Sequence, residues 1–216
     1  MSPRVVVLDY GSGNLRSVER ALARVGADVT VTSDLGAAAG ADGLVVPGVG
    51  AFAACMAGID ALGAGPVIAD RYAAGAPILG ICVGMQVMFA TGAEHGVVTK
   101  GLGLLDGEVT RLTAPPGRPP SERPRVPHMG WNTVDVAPGS RLFAGLPDDA
   151  RFYFVHSYAP RATDALRRDA LVTTATHGVE FVAGVERGPL WATQFHPEKS
   201  GDTGAALLGN WVGALR

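Results

Sequence analysis

The chain has 216 residues, 47% hydrophobic, 18% charged and 6% aromatic, an ordinary balance for a single folded domain that can enclose a sizeable core. A formal net charge of −2, with no basic stripe, argues against nucleic acid as the main partner. The apolar run in 1-MSPRVVVLDY-10 is too short for a signal-peptide core or a membrane span, and two cysteines without a CxxC pair make no disulfide framework, so a cytoplasmic protein is expected.

Residues 4–10 (RVVVLDY) read as a buried strand and 11–14 (GSGN) as a turn. Leu15, Val18, Leu22 and Val25 then fall at helical spacing, with Ser12 or Asn14 as the cap. Short strands follow at 28–32 and 43–48, two apolar helices at 51–62 and 66–75, a strand at 77–81, and a helix from Val83 to about Ala90. This alternation predicts a largely parallel sheet with helices on both faces, in one domain spanning 1–216. In the second half, 107–113, 131–137, 151–159, 170–176 and 180–195 read as mostly antiparallel strands, the last with a hairpin turn near Arg187 and Gly188. The sheet is therefore mixed. The stretch 114-APPGRPPSERPRVP-127 is too proline-rich for regular structure and reads as a surface loop, and a helix from Gly201 to Leu215 closes the chain.

Chemistry concentrates in 80-GICVG-84, the G-x-nucleophile-x-G pattern of a strained strand-to-helix elbow, with a thiol where other enzymes carry a hydroxyl. The glycines let strand and helix approach, the helix N-terminus favours the thiolate, and the Val83 amide points where an oxyanion would form. A small buried hydrophobe is the competing reading of Cys82. For Cys55, among the apolar Phe52, Met56 and Ile59, it is the only one, and that thiol is expected to be inert.

A nucleophilic thiol needs a base. Of five histidines, His95 and His177 sit in turns, His128 follows a proline, and His156 lies in a strand with no acid near it in sequence. The fifth is in 194-QFHPEKS-200, where Pro197 biases His196 to extended backbone and places Glu198 on the same side. A carboxylate there fixes the tautomer and stabilises the imidazolium. Alone, HPE is a capped strand end; beside the elbow it completes a Cys-His-Glu set. The turn 46-VPGVGAF-52 can offer a second oxyanion amide, although its glycines equally suit a plain strand-to-helix turn. HExxH, paired CxxC and clustered acids are absent, so neither a metal nor a cofactor is expected. The segment 11-GSGNLR-16 fails as a phosphate cradle because the third glycine of GxGxxG would fall at Arg16.

The elbow GxCxGMQ, an upstream PGxG loop and a C-terminal His-Pro-Glu, in that order, resemble class I glutamine amidotransferases. The stretches 8-LDYGSGNLRSV-18, 47-PGVGAF-52, 79-LGICVGMQ-86, 126-VPHMGWN-132, 153-YFVHSY-158 and 195-FHPEKS-200 resemble one branch, the glutaminase subunit of imidazole glycerol phosphate synthase. The resemblance implies a three-layer α/β fold with a central mixed, largely parallel sheet, helices on both faces and antiparallel strands in the C-terminal half. It implies that Cys82 attacks the side-chain amide of glutamine, His196 protonates the departing ammonia and Glu198 orients His196. Val83, Val49 and Gly50 would supply oxyanion amides; Gly50, Gln86, Ser157 and Tyr158 would line the substrate site. It also implies that a cyclase subunit is the partner. That subunit would be a (β/α)₈ barrel that consumes the ammonia, with Asn14, Arg16, Trp131 and Lys199 as candidate interface residues. For Trp131, core packing is the equal alternative. Thr193 and His177 depart from the family pattern. Another amidotransferase glutaminase, such as that of anthranilate synthase, would keep the triad without VPHMGWN. A stand-alone γ-glutamyl hydrolase or cysteine peptidase would need an open cleft and no partner, and a non-catalytic binding module would have no need of all three triad residues.

Overall fold

A seven-stranded sheet runs through the middle of the computed structural model, which describes residues 1–113, 117, 119 and 125–215. Most of the proline-rich stretch read as a surface loop lies outside the described residues. Across the sheet the strands are Leu171–His177 (β11), Val179–Arg187 (β12), Leu190–Thr193 (β13), Ile78–Cys82 (β4), Gly43–Gly48 (β3), Arg4–Leu8 (β1) and Asp28–Thr32 (β2). From β2 to β13 every pairing is parallel, while β12 and β11 are antiparallel. The central strands β3 and β4 are buried on both faces, as continuous apolar runs such as GLVVPG and ILGIC require.

Helix Leu15–Arg24 (α1) packs on Gly201–Gly213 (α7), and Ala64–Ala73 (α4) packs on Leu35–Gly40 (α2) and Phe52–Leu62 (α3), which encloses the sheet. Among the described residues no single helix is long and apolar enough to cross a membrane.

Several boundaries differ from the sequence reading. The helix after Cys82 spans only Val83–Gln86 (α5); the chain turns at Val87 and Met88, and Phe89–Glu94 (β5) begins a second sheet. The run VMF is apolar on every side, all three residues are fully buried, and no helical period marks where the turn falls. In that sheet β5 lies between Val97–Lys100 (β6) and Leu105–Arg111 (β7), and Tyr158–Pro160 (β10) pairs with β7. The single strand expected at 151–159 is two, because Arg151–His156 (β9) pairs with His128–Thr133 (β8) and the chain changes sheets at Ser157. Register with β9 also starts β8 at His128 rather than at Trp131. Two short helices carry no hydrophobic period and were not expected: α2, and Asp164–Asp169 (α6).

What positions the site is the close approach of β3, β4 and α5. A Cβ on Gly84 would stand 1.9 Å from the Val46 carbonyl oxygen, and one on Gly48 would stand 2.4 Å from the Gly84 nitrogen. Both obstacles are backbone, which cannot swing aside. Gly84→Ala is therefore expected to destabilise the fold by about 3 kcal/mol or more, read as a lower urea midpoint. An unchanged midpoint would mean that α5 is free to move away from β3.

Candidate active site

Three strand ends converge at one edge of the sheet. Parallel register sets Gly48, the last residue of β3, opposite Cys82, the last of β4; on the other side Thr193 of β13 lies opposite Ile81. The loops that follow β3 and β13 therefore meet around Cys82, as expected at the carboxyl edge of a parallel sheet.

Cys82 sits at φ 56° and ψ −116°, a left-handed backbone costly for any residue but glycine, held there by the packing of α5 on β3 and β4. The Val83 N–H is at the first position of α5, outside that helix's own hydrogen bonding. The expected elbow is present, although α5 is a single turn and its dipole is correspondingly small.

His196 has the extended backbone that its proline neighbour favours, φ −100° and ψ 94°. Its N–H donates to the Tyr153 carbonyl at 2.9 Å, and its own carbonyl accepts from the Ser200 hydroxyl at 2.7 Å. The side chains of His196 and Glu198 are 2% and 1% exposed, with Nδ1 2.7 Å from Oε1. The acid thus accepts from Nδ1–H and leaves Nε2 for Cys82. Burial alone would depress the His196 pKa, but hydrogen bonds to Cys82 and Glu198 and the charge on both outweigh it, raising the value from 6.5 to about 9. The ring therefore holds its second proton at neutral pH. A raised value means that the stability contributed by this proton is complete below 6.5 and is lost as pH rises through about 9. Because the Cys82 hydrogen bond is the largest raising influence, Cys82→Ala is expected to lower the His196 pKa, measured by NMR titration of the ring. An unmoved value would show that Glu198 alone sets it.

A cavity of about 300 Å³ opens over these groups. It is lined by Cys82, Val83, His196, Val49, Gly50, Gln86, Ser157, Tyr158 and Lys199, so the residues expected at the thiol and substrate sites are brought together. Gln86 is buried; its Nε2 donates to the Tyr158 carbonyl and to Gln194 Oε1, both at 2.9 Å, while its Oε1 has no protein partner among the described residues. That oxygen is itself buried, so Gln86 shapes the cavity wall rather than presenting a free acceptor to it. The cavity also holds three residues that the sequence did not single out for it: Glu94, Val155 and His156. Gln194, just beyond the Gln86 amide, directs its Nε2 to Cys82 Sγ at 3.8 Å. Glu94 has no motif around it; only its position in the unforeseen β5 could have indicated it.

Three expectations need correction. The Val49 N–H does not face Cys82: it donates to Ser12 Oγ at 2.9 Å, so Val49 lines the cavity without offering its amide to it. Asn14 stands at the N-cap of α1 as expected, but its side chain makes no capping hydrogen bond; its amide reaches back to Glu198 Oε1 at 2.5 Å, which ties it to the acid rather than leaving it free for a partner. Cys55 is not merely apolar filling, since its Sγ donates to the Val49 carbonyl at 3.5 Å. Of the remaining candidate interface residues, Arg16, Trp131 and Lys199 are exposed; Trp131 is 51% exposed, which excludes the core-packing alternative in the isolated chain.

A thiol on an elbow, an imidazole and a buried carboxylate behind it, and a three-layer α/β frame together define a setting for acyl transfer through a thioester. The family profile for glutamine amidotransferase class-I matches residues 6–213, and the chain belongs to that family. It is 59% identical over 220 residues to the imidazole glycerol phosphate synthase subunit HisH of Thermobifida fusca (strain YX), covering 100% of both chains. It is 62% identical over 211 residues to the protein of the same name from Mycobacterium bovis (strain ATCC BAA-935 / AF2122/97), covering 98% of each. Among solved structures, PurLQS from Thermotoga maritima shares the fold with a TM-score of 0.67 at 20% identity, covering 100% of both chains.

Proposed function

We propose that this chain is the glutaminase subunit of an imidazole glycerol phosphate synthase in histidine biosynthesis, working in the cytoplasm. It hydrolyses glutamine to glutamate and ammonia and delivers the ammonia to a separate cyclase subunit. The observation that carries the reading is the buried His196–Glu198 pair, closed at 2.7 Å behind an elbow cysteine at the floor of a cavity of about 300 Å³. Whole-length identity with proteins of that name supports the assignment to this synthase over other amidotransferases.

In this reading the Cys82 thiolate adds to the side-chain amide carbon of glutamine, and the carbonyl electrons move onto the oxygen. Val83 N–H donates to that oxyanion. The tetrahedral intermediate collapses with cleavage of the C–N bond, and His196 Nε2–H protonates the departing nitrogen as ammonia. A water, deprotonated by the now neutral His196, cleaves the thioester; glutamate leaves and the thiolate–imidazolium pair is restored. Glu198 keeps its negative charge throughout and holds Nδ1–H, with Asn14 steadying the same carboxylate oxygen. Glu94 on the cavity wall suits the α-ammonium of the substrate, and Gln86, Ser157 and Tyr158 close the pocket around its chain.

Arg16, Lys199 and the half-exposed Trp131 provide the partner-facing surface, with Met129 two residues along β8 adding a second large apolar group at 63% exposure. The test is glutamate release by the purified chain alone and with a cyclase carrying its ribonucleotide ligand. Strong activation by the cyclase is expected. Glutaminase activity indifferent to the cyclase would favour a stand-alone γ-glutamyl hydrolase, and no activity in either setting would overturn the enzyme reading.

A further inference from the structure

Three of the five histidines lie outside the triad yet beside one another, on β8, β9 and β11. The His128 ring stacks on Phe154 at 4.8 Å and on His177 at 4.1 Å, and the His156 ring packs edge-on against Phe181 at 4.9 Å. His128 and His156 are 4% and 7% exposed. Their contacts explain this burial. His156 Nδ1 is 3.0 Å from the Tyr158 carbonyl, so this nitrogen must carry a proton and donate it. Burial drives the His156 pKa down to about 3 despite that bond, with His128, His177 and His196 adding to the fall, so the ring is neutral and its Nε2 is a bare acceptor. His128 Nδ1, 3.1 Å away, must therefore be the donor to it. Burial first, and then His177, likewise hold His128 down to about 4, which leaves His128 Nε2 as an acceptor for the Asn132 amide 3.5 Å away. The second Asn132 hydrogen goes to the Thr176 carbonyl at 3.0 Å.

Every proton in this series is assigned by the group that receives it, and all point one way. The series ends at the Tyr158 carbonyl, which also accepts from Gln86 Nε2 at 2.9 Å. It begins at Asn132, next to the exposed Trp131. We propose that His128 and His156 are positioning residues for the glutamine site: a one-way chain of hydrogen bonds from Asn132 to the Tyr158 carbonyl holds that carbonyl, and through it the Gln86 side chain, in place on the wall of the cavity. The proposal deepens the glutaminase reading and rests on it. His156 lines the cavity but His128 does not, so an effect of His128 on substrate affinity has to pass along the chain.

The decisive variants are therefore at His128. Leucine removes both ring nitrogens, whereas asparagine keeps a donor at the Nδ1 position. His128→Leu is expected to raise KM for glutamine about tenfold with kcat changed less than about threefold, and His128→Asn to recover most of the loss. An unaltered KM in folded His128→Leu, or equal falls in kcat for both variants, would overturn the proposal and leave His128 as core packing. Should His128→Leu not fold, long-range proton–nitrogen NMR of the wild-type rings decides instead. Neutral, Nδ1-protonated His128 and His156 are expected at neutral pH, and a charged ring or the opposite tautomer in either overturns the chain. Wild-type protein in the same assay separates the two levels: its failure to hydrolyse glutamine defeats the glutaminase reading itself, while normal turnover with an indifferent His128→Leu defeats only the relay.

Discussion

Cys82→Ala is expected to lower glutamine turnover by about 10⁴-fold or more, with the cyclase present or absent, while the folded state survives. The size follows from the mechanism: without sulfur no thioester forms, and what remains is a pocket able to bind glutamine and polarise its amide. The survival follows from the packing. Cys82 is held at φ 56° by its neighbours, so alanine inherits the same backbone strain and adds none. The side-chain contacts given up are the hydrogen bond to His196 and the long approach of Gln194 Nε2. Cys82→Ser is expected to be nearly as poor. His196 keeps its proton to about pH 9 with Cys82 as its main support, and a serine hydroxyl is a far weaker acid and nucleophile than a thiol. Glutamate release measured under single-turnover conditions checks both variants. Retention of a tenth or more of wild-type turnover in the alanine variant would move the nucleophile elsewhere and leave Cys82 as a buried small residue.

The triad was legible because its signals are local. GICVG and HPE each set their own backbone, although Glu198 comes within 2.7 Å of the ring through a 3₁₀ turn over Pro197–Lys199 that follows the extended His196, not through continuous extended chain. The parallel strands were legible too, since double burial writes apolar runs such as VVVL and GLVV directly into the chain. What could not be read was held from afar. Helix α2 has six residues and no stripe; Asp34 caps its start, but its far end is held by Arg71 of α4, whose guanidinium donates to the carbonyls of Ala38, Ala39 and Ala41. Asn14 does hold the N-cap position, but its side-chain amide serves Glu198, distant in the chain, which no local pattern marks. The second sheet was missed for a related reason. Its strands β5 and β6 are short, and β6 is mostly exposed, so no alternation marks them. With that sheet went Glu94, and with the β8–β9 register went the pairing of His128 with His156.

Ser12→Ala carries the other large effect, and in the opposite direction: glutamine turnover by the isolated chain is expected to rise several-fold. Two amides should meet the oxyanion, and only Val83 has its N–H at the elbow. The second, on Val49, is turned inward to Ser12 Oγ at 2.9 Å, while the Val49 carbonyl is gripped by Cys55 at 3.5 Å and the Tyr10 hydroxyl holds the Pro47 carbonyl. Burial keeps both the Tyr10 phenol and the Cys55 thiol in their protonated, donating forms by pushing their pKa values upward. On the proposed mechanism, this cluster holds the loop with the Val49 amide away from the oxyanion. A turn of the Gly48–Val49 peptide would complete the oxyanion site, and glycine on one side of that peptide makes the rotation sterically cheap. Removing the Ser12 hydroxyl leaves the part-buried Val49 N–H without its acceptor and costs the resting orientation about 1 kcal/mol; the turned orientation, in which that N–H would meet the substrate oxygen, is untouched. If the cyclase acts by turning the loop, the cyclase-bound rate should barely change, so activation by the cyclase should shrink by the factor that basal turnover gains. Glutamate release with and without the cyclase measures both numbers in one experiment. A fall in both rates would mean that Ser12 supports the productive loop instead, and the oxyanion site would then have to form with the Val49 amide left where it is.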